Sequence, residues 1–250
     1  MNESLFSELE FDVHGFDCGY GGPLRAFALA NFLQEAAGAS AARLGFGMED
    51  LHANGRTWML SRLDLRVDEL PLEGARVFVK TWPAGTRRLF AFREFAMSGS
   101  DGRSLVRAVY AYLIVDIAAR RPLRPESVFG SDTPDAGVPH SVADFAFDIP
   151  SNVEMVPAFA MSVRGRHIDH NGHANNAHLV DWLVDAAGCD GELSALRVEF
   201  LAEALDGDLL AAAGGSPAMP VFREEEAAHQ AVAVLSRDGT AVARALVGWR

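Results

Sequence analysis

Residues 164–176 concentrate the side chains that could carry acid–base chemistry. Asp169, Asn171 and His173 alternate along the chain, so in an extended segment their side chains project to the same side. A carboxylate held beside an imidazole can move protons to and from a reacting group. We therefore expect these three residues to form one acid–base set.

The helix that must follow supplies a second chemical device. Asn175 or Asn176 is expected to cap its N-terminus, where free amides and the helix dipole favour negative charge. The carbonyl of an ester or thioester bound there would have its developing oxyanion stabilised by those amides. The segment therefore predicts chemistry at an acyl carbonyl.

A metal site and a purely structural loop are the alternatives for this segment. Four histidines fall within twelve residues, namely His167, His170, His173 and His178, and histidine is a common metal ligand. In an extended segment His170 and His173 point to opposite sides, and no cysteine lies nearby, so we expect no metal. In the other alternative, the polar groups only satisfy backbone amides.

The chain contains an internal repeat with an offset of 150 residues. Gly15–Gly38 aligns with Gly165–Gly188 without a gap, and seven of the 24 positions are identical. Where the second copy has its acid–base set, the first has Gly19, Gly21 and Pro23. Because only one copy carries the polar set, we expect one active site per chain.

Each copy predicts one N-terminal strand, one long helix and then a run of strands. Apolar residues at helical spacing run through both aligned segments, and Ser100–Gly102 and Arg237–Gly239 are hairpin turn signals. One helix cannot cover both faces of a sheet, so we expect a sheet curled around its helix. The fold class is α+β, with units at residues 1–130 and 154–250 joined by a linker at 131–153. The expected strands after each helix are Trp58–Val67, Ala75–Trp82, Leu89–Met97 and Ser104–Ile117, then Leu196–Leu201, Asp208–Ala213, Ala228–Ser236 and Ala241–Trp249.

Composition narrows the functional class. The chain has 250 residues and a net charge of −12, which disfavours a general nucleic-acid binder. Its longest apolar runs are far shorter than the ~20 residues of a membrane span, and its acidic N-terminus is unlike a secretory signal. Two cysteines are too few for a disulfide framework, and we expect a cytoplasmic protein.

One segment is basic within this acidic chain. Lys80–Arg124 holds nine basic residues against three acidic ones. A basic face on an acidic body could attract an acidic partner or a phosphate-bearing ligand. The alternative is that these arginines lie on outward strand positions and are merely solvated.

The eight residues Asp169–Asn176 resemble the Asp-x-Asn-x-His-x-Asn-Asn motif of the acyl-acyl carrier protein thioesterases of plants and bacteria. Val198–Glu203 is similar to the strand that bears a further catalytic carboxylate in that family, at Glu203. Asn31–Ala37, with Trp58–Leu60 through Pro83–Gly85, is similar to the family's N-terminal half. The resemblance implies a double hot-dog fold, in agreement with the repeat.

The resemblance also implies an activity, the hydrolysis of fatty acyl-acyl carrier protein thioesters, which terminates fatty-acid elongation. Asp169 and Glu203 are the candidate carboxylates, and both a base-activated water and direct attack by a carboxylate remain open. Asn171 would orient its neighbours and His173 would shuttle a proton. The amides at Asn175 and Asn176 would polarise the carbonyl, and neither metal nor cofactor is required.

The carrier of the acyl group is the less determined part of this hypothesis. Acyl carrier protein is acidic, so the arginines of the basic segment are its expected docking surface: Arg87, Arg88, Arg120 and Arg121. Coenzyme A could use the same arginines through its phosphates, and a non-catalytic acyl-binding module is a further alternative. The chain could also form a homodimer. Residues 206–220 match the family pattern poorly, which bears on the preferred acyl chain length.

Overall fold

The structure is a computed structural model that describes residues 3–130, 133–138 and 149–250. Four α-helices and eleven strands form within these residues. The helices are α1 (Ala26–Arg43), α2 (Met48–His52), α3 (Glu126–Phe129) and α4 (Asn176–Ala187). The strands are β1 (Ser7–Asp12), β2 (Arg56–Val67), β3 (Arg76–Arg87), β4 (Phe90–Gly99), β5 (Ser104–Asp116), β6 (Arg121–Leu123), β7 (Val156–Ser162), β8 (Leu193–Phe200), β9 (Leu209–Gly215), β10 (His229–Arg237) and β11 (Thr240–Trp249).

All eleven strands of the described chain belong to one antiparallel sheet. Ten follow the order β1-β3-β4-β5-β2-β8-β11-β10-β9-β7, and β6 pairs with β5. Counted inward from each edge, the order of equivalent strands is the same in both halves. The halves meet where β2 pairs with β8, with Arg62 opposite Glu199 and Arg66 opposite Ala195. The repeat found in the sequence is therefore also a repeat in topology.

Helices α1 and α4 pack on one face of this sheet and contact each other. On α1 the apolar stripe buries Leu29, Leu33 and Ala36, and on α4 it buries Leu179 and Leu183. Each buried leucine contributes about 1.5–3 kcal/mol, and both stripes belong to one continuous core. The helix expected in each copy is confirmed.

The eight strands expected after the helices are all present, as β2–β5 and β8–β11. The largest difference is in β3, which runs to Arg87 instead of ending at Trp82. The expected turn between β10 and β11 has Asp238 at φ 51° and Gly239 at φ 77°, as a tight hairpin turn with two positive φ angles requires.

The second copy is smaller than the first, because α4 has 12 residues and α1 has 18. The end of α4 passes very close to β9. A Cβ atom added at Gly214 would lie 2.0 Å from the carbonyl oxygen of Ala186, and one at Gly215 would lie 2.2 Å from that of Glu154. This close packing explains the glycines at positions 214 and 215.

Several elements were not expected from the sequence, namely α2, β6 and α3. Of the expected linker at 131–153, residues 131–132 and 139–148 lie outside the described residues. Its described part packs on the body, since the Ala136 amide donates to the Pro83 carbonyl at 3.0 Å and Ile149 is buried. The division into two units and a linker stays a prediction.

A cluster of ion pairs joins the halves on the sheet face opposite the helices. Arg66 and Arg197 both bind Asp64, the latter at 2.7 Å from Nε to Oδ2. Arg62 binds Glu199 at 2.8 Å. The pairs of Arg62 with Glu199 and of Asp64 with Arg197 link β2 to β8 across more than a hundred residues of sequence, so alternation within a strand does not reveal them. They leave the opposite face free to bury the apolar core.

Along the described residues, the structure contains no helix with both the length and the apolar character needed to cross a membrane. Its architecture is two tandem units, each with one long helix against half of a shared antiparallel sheet. This is the α+β double hot-dog that the resemblance implies.

Candidate active site

A large cavity lies between the two copies. Its volume is about 1350 Å³, above the roughly 300–1,000 Å³ of most small-ligand sites. The first copy supplies most of its apolar wall, including Phe11, Phe32, Trp58, Leu60, Phe92 and Phe129. The second copy supplies a polar end from the segment before α4 and from the segment after β8. Asp169, Asn171, His173, Asn175, Asn176 and Glu203 all line the cavity.

The segment Ile168–Asn175, here called the second loop, is a tight turn. Ile168 bridges to Ala174, and the Asp169 amide donates to the His173 carbonyl at 3.0 Å. The extended conformation expected from the alternation is therefore wrong. The reason is Gly172, whose φ of 85° reverses the chain.

The turn nevertheless brings the expected acid–base set together. The carboxylate of Asp169 accepts hydrogen bonds from the backbone amide of Asn171 at 2.8 Å and from its Nδ2 at 3.4 Å. His173 Nδ1 lies 3.9 Å from Asp169 Oδ1 and 3.3 Å from the Ala174 carbonyl oxygen. Asn171 therefore orients the carboxylate, and two oxygens face one nitrogen of the imidazole.

Of the two residues expected to cap α4, Asn175 and Asn176, the cap is Asn175. Its Oδ1 accepts from the Ala177 amide at 2.9 Å and from Gln34 Nε2 at 3.2 Å, and its Nδ2 donates to Asn31 Oδ1 at 3.3 Å. The side chain thus ties the cap of the second helix to α1 of the first copy.

The expected use of the Asn175 amide to polarise a carbonyl is wrong. This amide donates to the His167 carbonyl at 2.9 Å. The Ala177 amide is also engaged, because it donates to the capping side chain of Asn175. The Asn176 amide has no hydrogen-bond partner among the described residues. It is therefore the N–H of this helix end that remains for a ligand.

Glu203 lies in the segment after β8, not on the strand as expected, because β8 ends at Phe200. The Ala174 amide donates to the Ala204 carbonyl at 2.7 Å, so this segment runs directly beside the second loop. The side chain of Glu203 is 53% exposed, and its Oε2 lies 4.0 Å from Arg120 Nη2. The hydrogen bond between the two segments brings both candidate carboxylates to one end of the cavity.

The four arginines expected to dock a carrier are all exposed. Arg120 lines the cavity beside Glu203, whereas the other three lie outside its lining. Phe90, next to the Arg87–Arg88 turn, pairs with Leu113. Arg121 pairs with Asp116, only three residues further along β5, or about 10 Å. The four therefore lie at one end of the sheet, next to the cavity.

Two of the four histidines in this part of the chain lie together. His167 and His178 pack on each other with ring centroids 4.9 Å apart, and both contact Trp182. Burial lowers the pKa of both. Among the residues that the structure describes, no three histidine, cysteine, aspartate or glutamate side chains come together as a metal site would require.

Among the polar residues of the cavity wall that were missed from the sequence, two lie on neighbouring strands of the first copy. Arg93 and Tyr112 both line the cavity. On β4 the side chains that face inward are those of Ala91, Arg93 and Phe95. Arg93 is buried against Ser40 of α1, and Phe95 is part of the apolar core. A charged residue at an inward position of an alternating strand is the signal that could have identified Arg93.

The family model described as the acyl-ACP thioesterase N-terminal domain matches residues 4–128. This match covers the first copy and thus lies outside the second loop. A palmitoyl-acyl carrier protein thioesterase of Gossypium hirsutum is 26% identical over 81% of this chain. The chain spans about half the length of that relative, 53%.

Two solved structures have the same fold. An acyl-ACP thioesterase from Bacteroides thetaiotaomicron is 23% identical, and the match covers 99% of both chains with a TM-score of 0.80. The 12:0-ACP thioesterase from Umbellularia californica is 19% identical, with 98% of this chain and 97% of that chain covered at a TM-score of 0.78. These likenesses show the double hot-dog fold. By the match over half its length, the chain belongs to the acyl-ACP thioesterase family.

Proposed function

We propose that the protein hydrolyses fatty acyl-acyl carrier protein thioesters to free fatty acids and carrier thiol, which terminates elongation. One observation carries this proposal. A single cavity of about 1350 Å³ joins the acid–base set of the second loop to an apolar wall. Membership of the family supports the same activity.

His173 is the group that we assign to proton transfer. Its Nδ1 faces two acceptor oxygens, so the proton sits on Nδ1 and the lone pair of Nε2 is available as a base. Water attacks the thioester carbonyl carbon as Nε2 takes a proton from it. The tetrahedral intermediate then breaks its C–S bond, and the departing thiolate receives that proton from His173.

Asp169 holds His173 rather than attacking the carbonyl itself. Both of its oxygens accept hydrogen bonds from Asn171, and a carboxylate so engaged is a poor nucleophile for a mixed anhydride. The Oδ1 atom of Asp169 instead faces Nδ1 of His173 and holds the imidazole ring in place. Asn171 is therefore a positioning residue, and the water route is the favoured one.

The remaining groups at the polar end complete the proposed reaction. The unpaired Asn176 amide donates to the developing oxyanion, aided by the α4 dipole. Glu203, half-exposed beside the second loop, accepts a hydrogen bond from the attacking water and holds it against the carbonyl. The apolar wall of the first copy binds the acyl chain.

Acyl carrier protein is the proposed carrier. Its acidic surface complements the exposed arginines Arg87, Arg88, Arg120 and Arg121 at the end of the sheet, and Arg120 connects that surface to the cavity. The proposed reaction uses side chains and backbone amides of the chain, and the expectation that neither metal nor cofactor is required stays a prediction. The cytoplasmic location and the homodimer stay predictions.

The experiment that tests this function is thiol release from acyl carrier protein and coenzyme A thioesters of matched chain length. We expect release with the wild type, faster from the carrier protein, and none above background with His173→Ala. Raising the salt concentration should increase KM for the carrier protein thioester, because it screens the arginine surface. Equal rates with both carriers and no salt effect would remove the docking proposal, and no release from either would remove the hydrolase.

A further inference from the structure

A buried arginine lies in the wall of the acyl cavity. Arg93 is 9% exposed and lines the cavity. Its Nη1 donates to Ser40 Oγ at 2.9 Å and to Thr81 Oγ1 at 3.3 Å. Both partners are neutral hydroxyls, and in the described part of the chain no carboxylate pairs with this guanidinium.

Such a group is expensive to bury without a partner. A guanidinium has five N–H donors and keeps its charge in proteins, and an uncompensated buried charge is strongly unfavourable. Both hydrogen bonds come from Nη1, so the donors on Nε and Nη2 have no partner among the described residues. Those donors are free for a ligand in the cavity.

A second polar group lies beside the first. Tyr112 also lines the cavity, and it stands two residues along β5 from Tyr110, the residue opposite Arg93. Burial raises the pKa of Tyr112, so its hydroxyl stays protonated and can donate. Within the described residues this hydroxyl has no hydrogen-bond partner either.

The position of Arg93 along the cavity follows from α1. The second loop contacts α1 at Asn31 and Gln34, whereas Arg93 contacts it at Ser40. At the rise of an α-helix, this separation is about 9–14 Å along the axis. A chain whose thioester lies at His173 and whose tail follows α1 therefore meets Arg93 near its distal end.

We propose that Arg93 makes the enzyme selective for acyl chains that carry an acceptor oxygen, best a carboxylate, at the distal end. The inference rests on the proposed thioester hydrolysis. A carboxylate would neutralise the guanidinium and fill its free donors, with Tyr112 as a further donor. A methyl-ended chain of the same length would displace water from the guanidinium without offering it a hydrogen-bond acceptor or a negative charge.

The test compares matched pairs of carrier protein thioesters, octanoyl, lauroyl and palmitoyl, each with and without an ω-carboxyl group. For the pairs that reach Arg93, we expect the kcat/KM of the wild type to be at least about tenfold higher for the ω-carboxyl member. A hydrogen bond to a charged group changes an affinity by about this factor. Arg93→Met should reverse this ratio and extend activity on methyl-ended chains to greater length. Arg93→Lys, which keeps the charge, should retain part of the preference.

The matched control is Arg43→Met. Arg43 is an exposed arginine near Ser40 on α1 that binds Ser7 and the Phe6 carbonyl instead of the cavity. We expect this variant to keep the wild-type ratio. A wild type that prefers the methyl-ended member at every length would overturn the proposal, as would an Arg93→Met variant with an unchanged ratio.

A binding measurement separates this inference from the proposed function. Calorimetry with methyl laurate and with the monomethyl ester of dodecanedioic acid needs no hydrolysis. We expect the wild type to bind the carboxylate-bearing ester about tenfold or more tightly. If no thioester is hydrolysed, the proposed function fails while this ratio still decides the inference, and equal binding overturns it. Should Arg93→Met not fold, the wild type and Arg93→Lys decide.

Discussion

The same turn occurs twice in this molecule with different side chains. Residues 18–25, here called the first loop, lie 150 positions before the second loop, residues 168–175. In each, a bridge closes the turn, between Cys18 and Leu24 in the first and between Ile168 and Ala174 in the second. At the equivalent position each has a glycine with positive φ, 96° at Gly22 and 85° at Gly172, and the first loop has a second one at Gly21, with φ 85°.

The hydrogen bonds of the two loops match as well. In the first loop the Gly19 amide donates to the Pro23 carbonyl at 2.8 Å, and the Arg25 amide donates to the Asp17 carbonyl at 2.9 Å. The corresponding distances in the second loop are 3.0 Å and 2.9 Å. The turn therefore forms without the acid–base set.

The difference between the two loops shows that the acid–base set is not needed to form the turn. The first loop has glycine and proline where the second has Asp169, Asn171 and His173, and it contributes no residue to the lining of the cavity. Side chains that the backbone does not need, present only where the turn meets a cavity, are best explained by chemistry. The alternative of a merely structural capping loop is disfavoured by this internal control.

The largest effect is expected for His173→Ala. Removing the proposed base should lower kcat by about 100- to 10,000-fold and leave the fold intact, since the first loop forms without this side chain. Thiol release and thermal unfolding measure the two effects. Pro23→Ala, at the equivalent position of the first loop, is the control and should leave kcat unchanged; an equal loss there would break the distinction between the loops.

Glu203→Gln should have the next largest effect. The amide cannot accept and hold the attacking water as a carboxylate does, so kcat should fall about 100-fold with little change in KM. Asp206→Asn is the matched control, an exposed carboxylate of the same segment that does not line the cavity. Steady-state kinetics measure both, and a Glu203→Gln enzyme with the wild-type kcat would remove this residue from the mechanism.

Gly172→Ala and Gly22→Ala should destabilise the protein alike. Both glycines have positive φ, and a Cβ atom at either would meet no atom within 4 Å, so the loss reflects the backbone alone and should be about 1–2 kcal/mol each. Chemical denaturation measures the free energy of unfolding. Gly165→Ala, without positive φ or a close neighbour, should change it little. Only Gly172→Ala should also lower activity.

Asn175→Ala should cost about 1 kcal/mol of stability through the lost helix cap, together with its two contacts to α1. The equivalent Arg25 has no side-chain cap bond, so Arg25→Ala should cost less. Denaturation of the two variants gives the comparison. The opposite order of stabilities would contradict the assignment of Asn175 as the link between the copies.

The smallest effect is a pH dependence from His167 and His178, which have no histidine counterpart in the first copy. Burial lowers the pKa of both, and the charge of His167 lowers that of His178 further. Between these lowered values and about 6.5 the unfolded chain binds more protons, so stability is complete above about pH 6.5 and is lost as the pH falls.

We therefore expect Tm to fall between about pH 7 and about pH 5, and His178→Gln to reduce that fall. Differential scanning calorimetry at a series of pH values measures it. A Tm that rises on acidification, or a slope that the substitution leaves unchanged, would contradict the proposed cost of charging these two half-buried imidazoles.

The repeat made most of the fold predictable. A periodic apolar stripe, alternating strands and two turn signals are local patterns, and they identified both long helices and all eight strands that follow them. The turn of the second loop is also encoded locally, because Asn171-Gly172 is a turn signal, although the alternation of polar residues predicts an extended segment. The acid–base set came together by a different backbone path from the one expected.

What could not be predicted depends on residues far apart in sequence. The ion pairs of Asp64 with Arg197, and the contact of Asn175 with Gln34, join strands or helices more than a hundred residues apart. The hydrogen bond that brings the segment of Glu203 beside the second loop links residues 174 and 204. Such neighbours follow from how the two copies pack, which local periodicity does not specify.

The most direct test of the central claim converts the second loop into the first. The variant Asp169→Gly, Asn171→Gly, His173→Pro carries the first-loop residues at these three positions. We expect its free energy of unfolding to stay within about 1 kcal/mol of the wild type, as for other changes that leave the packing intact, while thiol release from acyl carrier protein thioesters falls to background. Retained hydrolysis by this folded variant would contradict the account.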